Sequence, residues 1–125
     1  MTIFKIHHII FKSEAYATTI NGTCKNDCLT KDHHECAFGQ WYDHTGMGLF
    51  KGNTHFKQIS LHHKNIHDLI NQNIHYIKAN GMVTYEDREI IINRFRDAEN
   101  ETQSLFSTMD TLSDELGGNV NFSNE

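Results

Sequence analysis

Two histidines four residues apart, His63 and His67, have the spacing in this sequence that best suits metal binding. Residues at positions i and i+4 of a helix project from the same face, so both imidazoles can reach one ion. Both lie on or beside an apolar stripe, which predicts that they point into the core. Buried histidines need partners, and a shared metal ion is one such partner.

Two further residues could complete a metal site. His8 lies between Phe4 and Phe11 on the apolar face of the first predicted helix, and Cys36 opens the aromatic-rich segment CAFGQW. One thiolate and three imidazoles form a tetrahedral donor set that favours zinc over magnesium, calcium or manganese. Spacing alone leaves an ordinary alternative open, because an inward histidine is usually a hydrogen-bonded core residue and a cysteine near aromatic rings usually packs there.

Three long helices are expected to position these residues. Apolar residues recur at steps of three and four over about residues 2–20, over 55–79, and from residue 84 to the polar end of the chain. No proline interrupts these segments. An Asn-Gly pair ends each of the first two, and the sequence TYED over 84–87 resembles a capping box that opens the third.

The remaining segments are shorter. We expect a short helix over Cys36–Tyr42, an irregular polar stretch over 21–35, and a loop over 43–54, where three glycines occur. The expected fold class is therefore all-α, a four-helix bundle with a short extra helix that carries the cysteine. This domain would span residues 1–116, with a frayed polar tail over 117–125.

Composition excludes several classes of function. A chain of 125 residues with 38% hydrophobic residues fits one domain with a narrow core. The net charge of −5 and the absence of a basic stripe argue against a nucleic-acid partner. The apolar runs are too short to span a membrane, and no signal peptide opens the chain, so a cytoplasmic location is expected.

The other two cysteines are weaker candidates for chemistry. Three cysteines are a poor basis for a disulfide framework, and cytoplasmic thiols stay reduced. Cys24 and Cys28, with His33 and His34, could mimic a second zinc site, but the local sequence is polar and irregular. A disulfide between Cys24 and Cys28 is similarly disfavoured.

Three motifs together resemble one known family. The segment CAFGQWY over Cys36–Tyr42 resembles the Cys-x-Phe/Leu-Gly-x-Trp signature of the chemoreceptor zinc-binding domain family. HKNIH over 63–67 is similar to its downstream HxxxH, and HIIFK over 8–12 resembles its opening helix. The motifs follow the family's order over residues 1 to about 80. Further residues resemble the closing helix of chemoreceptor members: Glu99, Ser104, Leu105 and Phe106.

The resemblance implies a four-helix bundle with a zinc ion held by three histidines and one cysteine. Carried onto this sequence, the ligands are His8, Cys36, His63 and His67. Family members often have Asp before the first histidine, whereas this chain has His7, so either His7 or His8 could be the first ligand. The phase of the first helix favours His8. The family occurs at the C-terminus of soluble bacterial chemoreceptors and attached to diguanylate cyclases.

Such a site would be structural or sensory. Four protein ligands fill a tetrahedral zinc site and leave no position for a reactive water, so we do not expect an enzyme. The Cys36 thiolate would be the oxidisable ligand, which predicts a redox switch that responds to hypochlorous acid, with zinc level as the other possible signal. The output would pass to a chemoreceptor signalling domain or a diguanylate cyclase, in cis or in trans. We also expect a homodimer, because such receptors and cyclases work as dimers and the last helix has a long apolar seam.

Another class of protein also uses inward histidines. A hemerythrin-like di-iron bundle would bind oxygen, but it needs bridging carboxylates and histidines on more helices. The last helix has no histidine and offers only carboxylates, at Glu86, Glu89, Glu99 and Glu101. A structural helical protein with incidental histidines is the remaining alternative.

Overall fold

The computed structural model describes residues 2–21 and 32–115. Over these ranges the chain forms five α-helices and one π-helical segment, with no strand. In chain order the elements are α1 (Thr2–Asn21), α2 (Ala37–Trp41), the π segment (Tyr42–Gly46), α3 (Met47–Phe50), α4 (Thr54–Asn80) and α5 (Arg88–Glu115). Because α2, the π segment and α3 follow one another without a break, the chain has four helical stretches. The predicted all-α bundle is confirmed.

The long helices α4 and α5 form an antiparallel hairpin. The Asn53 side chain caps the start of α4 by accepting a hydrogen bond from the Phe56 N–H at 3.1 Å. Gly81 ends α4 with a φ of 76°, a left-handed conformation that glycine adopts without steric cost. The Thr84 hydroxyl then accepts from the Asp87 N–H at 3.2 Å, as the predicted cap at this position requires.

The core lies between these two helices. Residues at steps of three and four on α4 and on α5 are buried against each other, which explains the two apolar stripes of the sequence. Each fully buried aliphatic side chain contributes about 1.5–3 kcal/mol relative to an exposed one. Completely buried members are Ile59, Ile66, Ile70, Ile74, Leu105, Met109 and Leu112.

A polar network connects α1 to α5. The buried Lys12 donates a hydrogen bond to Glu99 Oε2 at 2.9 Å, and the Tyr16 hydroxyl donates to Glu99 Oε1 at 2.7 Å. Burial alone would raise the pKa of Glu99, but the hydrogen bonds from Tyr16 and Lys12 outweigh burial and lower it. Glu99 therefore stays ionised and links α1 to α5. His8, one turn before Lys12, lies on the same buried face of α1 as Phe4 and Ala15.

The expected loop over 43–54 is wrong, because the helical stretch continues to Phe50. Gly46 is needed for packing: a Cβ there would lie 2.9 Å from the ring of Phe56. Gly48 lies exposed within α3, and Gly52 alone of the three has a positive φ, at 91°. The glycines thus reflect close helix packing and a short turn rather than a long loop.

Several sequence-based expectations fall outside the described ranges. The predicted tail over 117–125 and most of the predicted irregular stretch over 21–35 lie there, as do Cys24 and Cys28. Of the helices that the structure describes, none is long and apolar enough to cross a membrane.

Candidate metal centre

Four side chains from three different helical stretches converge at one point. His8 of α1, Cys36 immediately before α2, and His63 and His67 of α4 each offer one ligand atom, and these atoms lie within 4.8 Å of one another. Within 2–21 and 32–115 this is the group of histidine, cysteine and carboxylate residues with metal-binding geometry. The structure therefore brings together the four residues singled out in the sequence, whereas His7 is exposed.

The three imidazoles are almost fully buried. His8, His63 and His67 are 3%, 1% and 2% exposed, and the rings of His63 and His67 meet edge to face with centroids 4.8 Å apart. The His8 ring lies 4.8 Å from that of His63 and 6.0 Å from that of His67. The i, i+4 spacing on α4 produces the first pair, and the packing of α1 supplies the third ring.

The hydrogen bonding of His8 leaves one nitrogen for an ion. Its Nδ1 lies 2.8 Å from the Phe4 carbonyl oxygen, which can only accept, so Nδ1 carries the proton. Nε2 then has a lone pair, and it is buried with no hydrogen-bond partner. A buried acceptor without a partner costs about 1–3 kcal/mol, a cost that a bound cation would remove.

Cys36 occupies the N-cap of α2. Its extended backbone (φ −76°, ψ 164°) places Sγ where it accepts a hydrogen bond from the Gly39 N–H at 3.4 Å. The same sulfur lies 3.2 Å from His63 Nε2. Burial raises the pKa of the thiol, although the backbone N–H groups of Gly39 and Phe38 oppose this effect. A bound divalent cation would reverse the balance and favour the thiolate.

Burial also sets the charge of the histidines. It lowers the pKa of His8 to about 4, and it lowers the pKa of His63 still further, with the neighbouring histidines adding to the effect. The imidazoles of His8 and His63 are therefore neutral near pH 7, which is the form that binds metal. With a neutral thiol beside them, the donors meet without electrostatic repulsion.

Three further residues of the CAFGQW segment, Phe38, Gly39 and Trp41, are buried beside the site. The ring of Phe4 contacts both aromatic rings of this segment. Its centroid lies 4.8 Å from that of Phe38 and 5.6 Å from that of Trp41. Gly39 is required because a Cβ there would lie 1.8 Å from the carbonyl oxygen of His33. The segment thus places the cysteine of the cluster beside two buried aromatic side chains and a glycine in close contact with the preceding turn.

A solvent cavity of about 330 Å³ reaches the site. His8, Cys36 and His67 line its inner part, and the exposed His7 and Glu35 line its outer part. Cys36 is half-buried at this cavity. Cys36 therefore borders a cavity of the folded bundle.

The di-iron alternative does not match this arrangement. The group of donor atoms found in the described part of the chain contains no carboxylate. Glu99 is bound by Lys12 and Tyr16, and Glu101 lies 2.6 Å from His62 Nδ1. The bridging carboxylates that a di-iron centre needs are thus absent from this group.

The sequence did not single out His33 as an inward residue, yet it is only 9% exposed. Its ring meets that of His63 edge to face at a centroid distance of 5.7 Å. Its neighbour His34 is exposed and pairs instead with Asp43 at 2.7 Å. A polar local sequence gave no signal that one of two adjacent histidines turns inward.

Comparison with known proteins adds one match. Residues 8–74, more than half of the chain, match the family model of the chemoreceptor zinc-binding domain. A search of curated proteins and a search of solved structures each found no match. The matched range contains all four converging side chains.

The lowered histidine pKa values predict how acid affects the metal-free protein. As the pH falls from 6.5 to about 4, His8 becomes protonated in the unfolded chain but stays neutral in the folded chain. The free energy of unfolding therefore falls over this window. The loss from His8 is about 3 kcal/mol at pH 4, and His63 extends the loss to lower pH. Denaturant unfolding of chelator-treated protein at pH 7, 5.5 and 4 measures this slope. His8→Gln should reduce the slope, and a parent stability independent of pH over this window would contradict the prediction.

Proposed function

The chain belongs to the chemoreceptor zinc-binding domain family, and on that premise we propose that it is a sensory domain whose zinc ion is held by His8, Cys36, His63 and His67. The observation that carries the proposal is the convergence of these four side chains in a buried cluster without a carboxylate. Neutral imidazoles and a cysteine are the ligands that zinc prefers. The buried, unpartnered Nε2 of His8 is consistent with such an ion.

A regulatory role fits this donor set better than catalysis. Four protein ligands leave zinc no open position for water, so we propose that the domain is not an enzyme. We propose that its output goes to a chemoreceptor signalling domain or to a diguanylate cyclase, in the same chain or in a partner. Because Cys36 must be reduced to bind metal, the cytoplasm is the compartment that suits it.

We propose that Cys36 is the redox-sensing residue and that it responds to hypochlorous acid. The thiolate sulfur attacks chlorine and displaces hydroxide, and hydrolysis of the sulfenyl chloride gives sulfenic acid, chloride and a proton that neutralises the hydroxide. Sulfur thus loses the two electrons that chlorine gains. The cavity beside Cys36 supports access of a small neutral oxidant. Sulfenic acid is a poorer zinc ligand than thiolate, so oxidation would release the sulfur.

The position of Cys36 suggests which element moves. It lies at the start of the stretch formed by α2, the π segment and α3, whereas the histidine ligands lie on the long helices α1 and α4. The apolar side chains between α4 and α5 are buried against each other independently of Cys36, so this hairpin can stay packed when the sulfur leaves. The short stretch would therefore shift against a stable bundle, which is a two-state element biased by local chemistry.

We further propose a homodimer formed through α1. The apolar seam of α5, which suggested a dimer from the sequence, is buried against α4 and cannot serve a second chain. Instead, Ile3, Ile6 and Ile10 of α1 are 42%, 49% and 50% exposed at steps of three and four. Such a stripe matches the seam of a helix pair.

Metal analysis tests the zinc proposal. Protein purified without a His tag should contain one zinc ion per chain, and His63→Ala should bind zinc at least about tenfold more weakly because a ligand is lost. The parallel variant His75→Ala, at an exposed histidine of the same helix, should retain full affinity. Two iron ions per chain would support the di-iron alternative, and a metal-free protein would contradict the proposal.

Cys36→Ala tests the redox proposal. The variant should stay folded, because the helices have their own apolar seams, but it should bind zinc more weakly and lose the conformational response to hypochlorous acid. Hydrogen exchange across α2 and α3, before and after one equivalent of oxidant, measures the response. Cys24→Ala and Cys28→Ala should respond like the parent. If Cys36→Ala does so too, the redox mechanism is wrong and a zinc-level sensor becomes the better account.

Sedimentation velocity tests the dimer. The parent should sediment as a dimer at micromolar concentration, and Ile6→Lys should shift it to monomer because a charge in an apolar interface is strongly destabilising. His75→Ala, on the exposed side of α4, should leave the dimer intact. A parent that stays monomeric at high concentration would rule out this proposal.

A further inference from the structure

One buried histidine lies beside the candidate metal centre without belonging to it. His33 sits in the turn before α2, where its neighbours Asp32, His34 and Glu35 are exposed. The Asp32 carboxylate fixes this turn by accepting hydrogen bonds from the N–H groups of His34 at 2.9 Å and Glu35 at 3.1 Å. The chain thus turns one of two adjacent imidazoles inward although the surrounding sequence is polar.

The inward ring borders the cluster on the side of His63. The two rings meet edge to face at 5.7 Å, and the His33 carbonyl oxygen lies 3.7 Å from the sulfur of Cys36. The nitrogens of His33 are nevertheless outside the group of ligand atoms that lie within 4.8 Å of one another. His33 is therefore adjacent to the coordination sphere and on the same turn as the one sulfur ligand.

We propose that His33 is a reserve ligand, which binds the zinc ion when the sulfur of Cys36 is oxidised or removed. This inference rests on the proposed zinc site. Imidazole and thiolate are both good zinc ligands, so the exchange replaces a three-histidine, one-cysteine set with four histidines.

The exchange has a mechanical consequence. Because the His33 carbonyl packs against Gly39 with no space for a Cβ, the turn and the first turn of α2 move together. When His33 takes the place of Cys36, α2 must therefore shift relative to α4. Oxidation would change the position of α2 while the metal ion is retained, and reduction of the sulfenic acid would restore the original ligand set.

A double-mutant cycle on zinc affinity tests this role. The four proteins are the parent, His33→Phe, Cys36→Ala and the double variant, each titrated with zinc against a competing chelator. Phenylalanine keeps the edge-to-face contact with His63 but has no ligand nitrogen. His33→Phe should leave the affinity of the parent almost unchanged, yet weaken that of Cys36→Ala by about tenfold or more. His34→Phe is the matched control and should have little effect in either background.

A second measurement uses the oxidised protein. After one equivalent of hypochlorous acid, the parent should retain its zinc through a desalting step, whereas His33→Phe should lose it. Circular dichroism verifies that each variant is folded. If His33→Phe does not fold, His33→Gln replaces it. The reserve-ligand role would be overturned if His33→Phe changed zinc affinity equally in the parent and in Cys36→Ala, or in neither. It would also be overturned if Cys36→Ala bound no zinc. A parent that binds no zinc would overturn the proposed site itself.

Discussion

Burial of three imidazoles and one thiol at a single point is the constraint on which the arrangement depends. Burial lowers the pKa of His8 and of His63, so both imidazoles are neutral near pH 7, and partial burial raises the pKa of the Cys36 thiol. Neutral donors can approach within 4.8 Å of one another, but the lone pair of His8 Nε2 is left without a hydrogen bond. A bound cation would accept this lone pair, and it would hold α1, α2 and α4 together.

The bundle contains a long helical hairpin and a short helical stretch that begins at a residue of the cluster. The packing of α4 against α5 is continuous and apolar, so this hairpin has its own source of stability. The short stretch from α2 to α3 packs in the same core through Phe38, Trp41, Tyr42 and Phe50, and Cys36 at its start contributes the sulfur of the cluster. Under the proposed sensory role, a chemical change at Cys36 would act on this short stretch while the hairpin persists.

Local sequence patterns determined a large part of the fold. The three- and four-residue steps of apolar side chains predicted α1 and α4 to within about one residue at each end, because each helix buries one face, but they placed the start of α5 about four residues too early. The i, i+4 spacing placed His63 and His67 on one face for the same geometric reason. The CAFGQW and HxxxH motifs identified the family, and the family model match confirms it.

Only the tertiary structure decided how the elements meet. The phase of α1 already favoured His8 over His7, but the distance of the His8 ring from those of His63 and His67 depends on how α1 packs against α4. Gly46 suggested a loop because glycine is common in turns, yet it accommodates the ring of Phe56 inside a helix. The inward position of His33 likewise includes a ring contact with His63 of α4, which lies far away in the sequence, and no local pattern encodes such a contact.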